Sequence, residues 1–185
     1  MPAEPNVLVV IPARLAATRL PRKPLLEIAG TPLILHVLQR GLEAALGPVV
    51  VAAADAEIAF AVEAAGGRAV LTDPDLPSGT DRVLAAVDEL DPGHQFDLVV
   101  NLQGDMPEVT PEDLAQAIAP VIEDGDDIGT LVVSTDDARE RDDPNVVKAV
   151  VSFVDDARTR GRALYFTRAA APSGPGPVEI GRAHV

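Results

Sequence analysis

No cysteine occurs among the 185 residues. That absence excludes a disulfide framework, thiolate zinc ligation and a cysteine nucleophile together. Tryptophan is missing too, and aromatic residues make up only 3% of the chain. The core therefore has to be assembled from Ala, Val, Leu and Ile. Basic residues are scarce, 15 Lys and Arg against 29 Asp and Glu, for a net charge of −14. Such acidity repels nucleic acid at long range and argues against a DNA- or RNA-binding role. No apolar run approaches the ~20 residues needed to span a bilayer. Met1-Pro2-Ala3-Glu4-Pro5-Asn6 has neither the basic start nor the apolar stretch of a signal peptide. The chain reads as a soluble, cytoplasmic protein with no nucleic-acid or membrane partner. His36, His94 and His184 are widely spaced and carry no assigned role.

What is present begins with Val7 to Ile11, a β-branched apolar run closed by Pro12, which reads as a central strand buried on both faces. Arg14, Arg19, Arg22 and Lys23 follow within ten positions. A cationic loop at the carboxyl end of a parallel strand is where open α/β sheets bind ligands, and cations there call for an anion. With 47% hydrophobic residues, the chain is long enough for one well-buried domain.

Further along, Thr31 reads as an N-cap and Pro32 as the first helical residue, with Ile34, Val37, Leu38, Leu42 and Ala45 at helical spacing to about Leu46. Val49 to Ala53 is a second buried strand, Asp55 a cap for a helix facing inward through Ile58 and Val62, and Arg68 to Thr72 a third strand. The loop Asp73 to Arg82 opens another helix, and Phe96 to Leu102 is a strand ending in Gln103-Gly104-Asp105. Thr110-Pro111 starts a helix that Pro120 kinks or shortens. Ile128 to Val133, Val146 to Val154 and Ala163 to Thr167 are later strands, the last pairing back on its predecessor, with Tyr165 and Phe166 expected in the core. Alternating strands and helices predict an α/β protein with a mostly parallel sheet covered on both faces.

Three places are suited to chemistry: the basic loop, Ser78 to Arg82, and Gln103 to Asp105. Each lies where a strand hands over to a loop or helix, so a doubly wound sheet places them on one edge. The dinucleotide fingerprint G-x-G-x-x-G is absent after the first strand, which disfavours a dinucleotide-dependent oxidoreductase, and the phosphate-loop pattern is absent too. Bland readings stand beside these: Asp105 as a turn cap, and Arg82 paired with Asp81 or Asp88 on its own helix.

Taken together, these motifs resemble the 3-deoxy-manno-octulosonate (KDO) cytidylyltransferase family, the CMP-KDO synthetases. Its opening, I-P-A-R-x-x-S/T-R-L-P-x-K-P-L, is matched by Ile11 to Arg14, Thr18 to Pro21 and Lys23 to Leu25. Its S-G-T-[DE]-R loop is matched by Ser78 to Arg82 and its Q-G-D motif by Gln103 to Asp105. Pro144 to Lys148 and Ala163 to Arg168 look like its P-N-x-V-K and A-L-Y-F-S-R.

The resemblance implies a Rossmann-like nucleotidyltransferase fold, with CTP and the sugar acid KDO as substrates in lipopolysaccharide precursor activation. It implies Mg²⁺ as cofactor, held by Asp105, and a homodimer. It casts Arg14, Arg19, Lys23 and Asp105 as catalytic. Pro12, Ala13, Arg14, Lys23, Ser78, Gly79, Arg82, Gln103 and Arg168 bind substrate, with Ser78, Gly79 and Arg82 reading cytosine and Arg168 the KDO carboxylate. Alternatives are a cytidylyltransferase for a related sugar acid and an inactive CTP-binding fragment.

Departures from the pattern are Arg22 where the family has Gly, Ala54 for Thr, Met106 for Glu, and Ala171-Pro172-Ser173 for I-P-W. The nucleotidyltransferase domain is expected over residues 1–172, incomplete at its end because the family's second aspartate metal ligand has no match. Residues 173–185 are expected as an irregular tail. Within it, Ile180-Gly181-Arg182-Ala183-His184-Val185 matches one translation frame of a common sequencing adapter and is set aside as non-native.

Overall fold

The computed structural model describes residues 5–16, 20–135, 137–154, 156–157 and 159–170, together with the backbone of 180–183. Two compact units result, residues 1–118 and 119–185.

The first unit is built on β1 (Val7–Ala13), in which all seven residues are buried. After the basic loop, a single 3₁₀ turn (Lys23–Leu25) leads into a small hairpin of β2 (Glu27–Ile28) and β3 (Thr31–Pro32). Its tip places Ala29 at φ 52° and Gly30 at φ 82°, the pair of positive angles that a two-residue primed turn requires and that glycine adopts without strain. The hairpin corrects the capping expectation: Thr31 is a strand residue, Pro32 takes the N-cap position, and α1 runs Leu33–Glu43. The Thr31 backbone pairs with Ile28, so the residue is extended one step too early to cap.

β4 (Val49–Ala53), α2 (Ala56–Ala64), β5 (Ala69–Leu71), α3 (Gly79–Leu90), β6 (Leu98–Asn101) and α4 (Pro111–Ala119) follow. The sheet order is β5-β4-β1-β6, with every pair parallel. Successive β1 residues point to opposite faces, and this splits the core in two. Val7, Val9 and Ile11 pack with α1, α2 and α4 through Ile34, Val37, Ile58, Val62, Leu114 and Ile118. Leu8 and Val10 pack with Val50, Ala52 and Val70 against Val83 and Ala86 of α3. Both faces of the sheet are thus covered by helices, as the apolar runs of β1 and β4 imply.

In the second unit, Pro120–Asp124 forms one turn of π-helix, in line with a break at Pro120. β7 (Val132–Thr135), α5 (Ala138–Asp142), β8 (Lys148–Phe153), β9 (Gly161–Thr167) and β10 (Ile180–Ala183) complete the chain. These strands make an antiparallel sheet of order β7-β10-β8-β9. β9 pairs back on β8 as expected, with a register shift between Val150 and Val151. Three expectations change here. Tyr165 and Phe166 are 51% and 42% exposed rather than core, because β9 is an edge strand and exposed nearly throughout. Ile128 lies outside β7 and is exposed, Gly129 beside it offering no side chain to hold a strand there. Residues 180–183, expected to lie in an irregular tail, form β10 between β7 and β8.

Candidate active site

The carboxyl ends of β1 and β6 and the N-terminal turn of α3 enclose a cleft of about 320 Å³ in the first unit. Pro12, Ala13, Arg14, Lys23, Ser78, Gly79, Arg82, Gln103 and Asp105 all line it. These residues come from three separate stretches of sequence. The parallel sheet brings them together because β1 lies directly beside β6 and under α3.

At the floor, Gly104 lets two backbones meet: a Cβ there would lie 2.8 Å from the Pro12 carbonyl oxygen. That approach sets Asp105 opposite Lys23, whose Nζ donates to Asp105 Oδ2 at 2.7 Å. Asp105 therefore does not act as a cap. Both side chains remain well exposed, so the pair itself contributes little to stability. Gln103 Nε2 donates to Asn101 Oδ1 at 2.9 Å, which fixes the side-chain amide at the cleft's edge.

Ser78 is the N-cap of α3. Its Oγ accepts from the Asp81 backbone N–H at 3.1 Å and donates to the Asp81 carboxylate at 2.5 Å. The S-G-T-D pattern is thus a capping arrangement that also sets the helix start in the cleft wall. Arg82, four residues on, is only 2% exposed. It pairs with neither Asp81 nor Asp88. Its Nη1 donates to Thr72 Oγ1 at 2.5 Å and to the Asp73 carbonyl at 3.0 Å, and Nη2 to the Pro74 carbonyl at 3.4 Å. The guanidinium thereby braces the 72–74 loop against α3. Burial, and next the like charge of Arg14, lower its pKa from the usual arginine value.

Around the basic loop, Arg22 adopts φ 60° and ψ 19°. This left-handed conformation explains why glycine suits the position in the family pattern. The Arg22 side chain is ion-paired with Glu57, which lowers the Glu57 pKa and raises that of Arg22. Met106, in place of a carboxylate, packs against the core. Arg19 lies outside the described residues. Arg168 belongs to the second unit, where its Nη1 donates to the Pro144 and Asn145 carbonyls at 3.2 and 3.3 Å.

Three residues were not singled out as a site by the sequence. Lys148 is fully buried, its Nζ donating to the carbonyls of Asp143, Val146 and Arg168 at 2.7, 2.9 and 2.8 Å. Asn101 orients Gln103. Asp55 caps nothing with its side chain; its Oδ2 accepts from the Leu15 backbone N–H at 2.8 Å. No recognised motif announces these contacts, and two of the partners, Leu15 for Asp55 and Arg168 for Lys148, lie far away in the sequence.

A parallel sheet with an anion-suited cleft at its carboxyl edge defines a nucleotide-binding α/β protein, and the family profile of the cytidylyltransferases matches residues 8–175. The chain belongs to the cytidylyltransferase family. Within it, the chain is 59% identical over 173 residues to the 3-deoxy-manno-octulosonate cytidylyltransferase of Rhodospirillum centenum, a match covering 94% of this chain and 67% of that protein. It is 53% identical to the enzyme of the same name from Paramagnetospirillum magneticum, over 95% of this chain and 71% of that one. Among solved structures, that of CMP:2-keto-3-deoxy-manno-octonic acid synthetase complexed with CTP superposes with a TM-score of 0.83 at 35% identity. The superposition covers 97% of this chain and 71% of that one. A nucleotidyl transferase from Methanothermobacter, 20% identical with a TM-score of 0.51, shares the fold.

Proposed function

We propose that this protein transfers the cytidylyl group of CTP to the sugar acid KDO, giving CMP-KDO and pyrophosphate, a step of lipopolysaccharide precursor activation in the cytoplasm. The observation that carries the reading is the cleft itself. It gathers Arg14, Lys23, Asp105 and the start of α3 in a chain 59% identical to an enzyme of that name.

In this reaction the anomeric hydroxyl oxygen of KDO forms a bond to the α-phosphorus. The bond from that phosphorus to the bridging oxygen of the β-phosphate breaks, and the electron pair leaves with pyrophosphate. The hydroxyl proton is lost to solvent. Charge on the phosphates is the main obstacle, and fixed cations placed beforehand lower it. Arg14 and Lys23 bind the triphosphate from one wall of the cleft, with Arg19 a third cation by its motif. The helix start at Ser78 and Gly79 forms the other wall, where the base is read. Gln103, its amide nitrogen held by Asn101, presents its oxygen to a ligand hydroxyl.

Among the described residues no cluster of three metal-ligating side chains occurs. A single exposed carboxylate in a triphosphate cleft still fits Mg²⁺, which takes one or two protein carboxylates and fills its remaining positions from phosphates and water. Asp105 would hold it. When bound, the ion supplies further neutralisation of the phosphate oxygens.

Calorimetric titration in Mg²⁺ tests the reading. CTP is expected to bind in preference to ATP and GTP, and a chain that binds ATP as tightly as CTP refutes it.

A further inference from the structure

The geometry points to Asp55 as a positioning residue for the triphosphate-binding loop, acting through the backbone of Leu15 rather than by touching ligand. The inference rests on the cleft's reading as a CTP site. Asp55 occupies the N-cap position of α2, where an aspartate ordinarily accepts from its own helix. Here its side chain makes no such bond. Oδ2 instead reaches across to the Leu15 N–H at 2.8 Å, a partly buried contact between residues 40 apart in sequence.

That single bond sits at the head of a chain of others. The Leu15 carbonyl accepts from the Arg22 N–H at 3.0 Å, closing the far end of the loop onto the near end. The Ala54 N–H donates to the Ala13 carbonyl at 2.9 Å, tying the residue before Asp55 to the residue before Arg14. Glu57, two residues on, is ion-paired with the Arg22 side chain. The start of α2 therefore grips the loop at both ends, just inside Arg14 and just before Lys23. Asp55 also places a negative charge where it acts on both Arg22 and Arg82. Without it, Arg82, already opposed by the like charge of Arg14, would have one counter-charge fewer beside the cleft. Preorganised cations bind a polyanion more tightly than mobile ones, since less ordering remains to be done on binding.

The test compares wild type, Asp55→Ala and Asp55→Asn by amide hydrogen exchange and by CTP titration in Mg²⁺. Asp55→Ala is expected to speed exchange at the Leu15 and Arg22 amides. The Ile58 and Ala59 amides, which donate to the Asp55 backbone carbonyl, should keep their protection. CTP affinity should fall by about tenfold, the scale of one lost charge-assisted hydrogen bond. Asp55→Asn keeps an acceptor for Leu15 and loses the charge, so it should fall between the two; it also serves where the alanine variant fails to fold. Faster exchange confined to the start of α2 would make Asp55 a cap and overturn the inference. Unchanged loop exchange, or unchanged CTP affinity, overturns it as well. If wild-type protein binds no CTP, the functional reading fails, and the inference with it, whatever the exchange shows.

Discussion

Replacing Gly104 by alanine is the sharpest probe of how the cleft is built. The added Cβ would stand 2.8 Å from the Pro12 carbonyl oxygen, with Ile11 Cγ2 and Ile34 Cδ1 each 3.7 Å away. Ordinary contact begins near 3.4 Å, so the two backbones must part by about 0.6 Å. Pro12 is buried within β1 and in register with Ala52 of β4, and cannot recede without disturbing the sheet. The displacement therefore falls on the Gln103–Asp105 turn and draws Asp105 away from Lys23. Overpacking of this kind costs about 1–3 kcal/mol, a fall in Tm of roughly 2–12 °C for a chain of this size. Shifts on the ångström scale at a binding site are also felt strongly by ligands, so CTP affinity should drop several-fold as well. Gly79→Ala is the matched control. Its nearest neighbour would be Pro12 Cγ at an ordinary 3.5 Å, so Tm should hold or rise slightly, while a methyl group intrudes on the cleft wall and weakens CTP. Differential scanning calorimetry and isothermal titration read both quantities. A Gly104→Ala protein with wild-type Tm would refute the steric argument. One with lowered Tm and undiminished CTP affinity would show that the turn does not position the site.

Other outcomes follow from the same contacts. Asp105→Asn frees Lys23 from its ion pair and removes the proposed Mg²⁺ ligand, so CTP should bind more tightly than to wild type in EDTA and about tenfold more weakly in Mg²⁺; a loss in both conditions would contradict the metal role. Lys148→Met strips the donor from three carbonyls, each costing about 1–3 kcal/mol when left unpaired; urea denaturation should show a loss of about 3–5 kcal/mol after partial rehydration, and a loss below 1 kcal/mol would mean water replaces the ammonium freely. Asp91 accepts from the Gln95 and Phe96 backbone N–H groups, which hold its pKa below the usual 3.8. Below that value the unfolded chain takes up the proton first, so stability contributed by Asp91 is complete above about pH 3.8 and is lost as pH falls further. Asp91→Asn should flatten the acid limb of the stability curve, read by urea titrations between pH 5 and 3 (about two pH units spanning the carboxylate range).

Much of the first unit was legible because burial on both faces leaves a plain signature. Val7 to Ile11 and Val49 to Ala53 have no polar residue to confuse the reading, and both are strands. The sheet edge followed, and with it the convergence of three motifs in one cleft. What stayed hidden were two contacts whose partners lie far along the chain, Lys23 with Asp105 and Asp55 with Leu15, and one across the loop that leads into α3, Arg82 with residues 72–74. Capping rules misplaced Thr31 and Asp55 for a related reason. Each residue had a helix to cap, but a local hairpin took the Thr31 backbone and a distant loop the Asp55 side chain. At Tyr165 and Phe166 composition misled, because aromatic strand residues are core only when something covers them. Arg22 shows the reverse: a departure from the family pattern became intelligible once its backbone angle was known.

The place of β1 in the sheet has a consequence for how the chain reaches its fold. This strand is synthesised before both of its neighbours and sits between β4 and β6, pairing Val9 with Val49 on one side and Val7 with Leu98 on the other. Contacts of such long sequence separation form slowly. A nascent chain that has reached Leu71 can assemble β5, β4 and β1, yet one edge of β1 stays bare until Leu98 to Asn101 arrive. At ordinary translation rates that interval is roughly 1.5–6 seconds. Throughout it, a Val- and Ile-rich strand with no charge of its own is open to pairing with another chain. Pro12 and Arg14 stand just at its end, where a proline and a charge hinder such pairing most. The two residues at the root of the cleft are thus of the types that hinder edge pairing at the end of a bare strand.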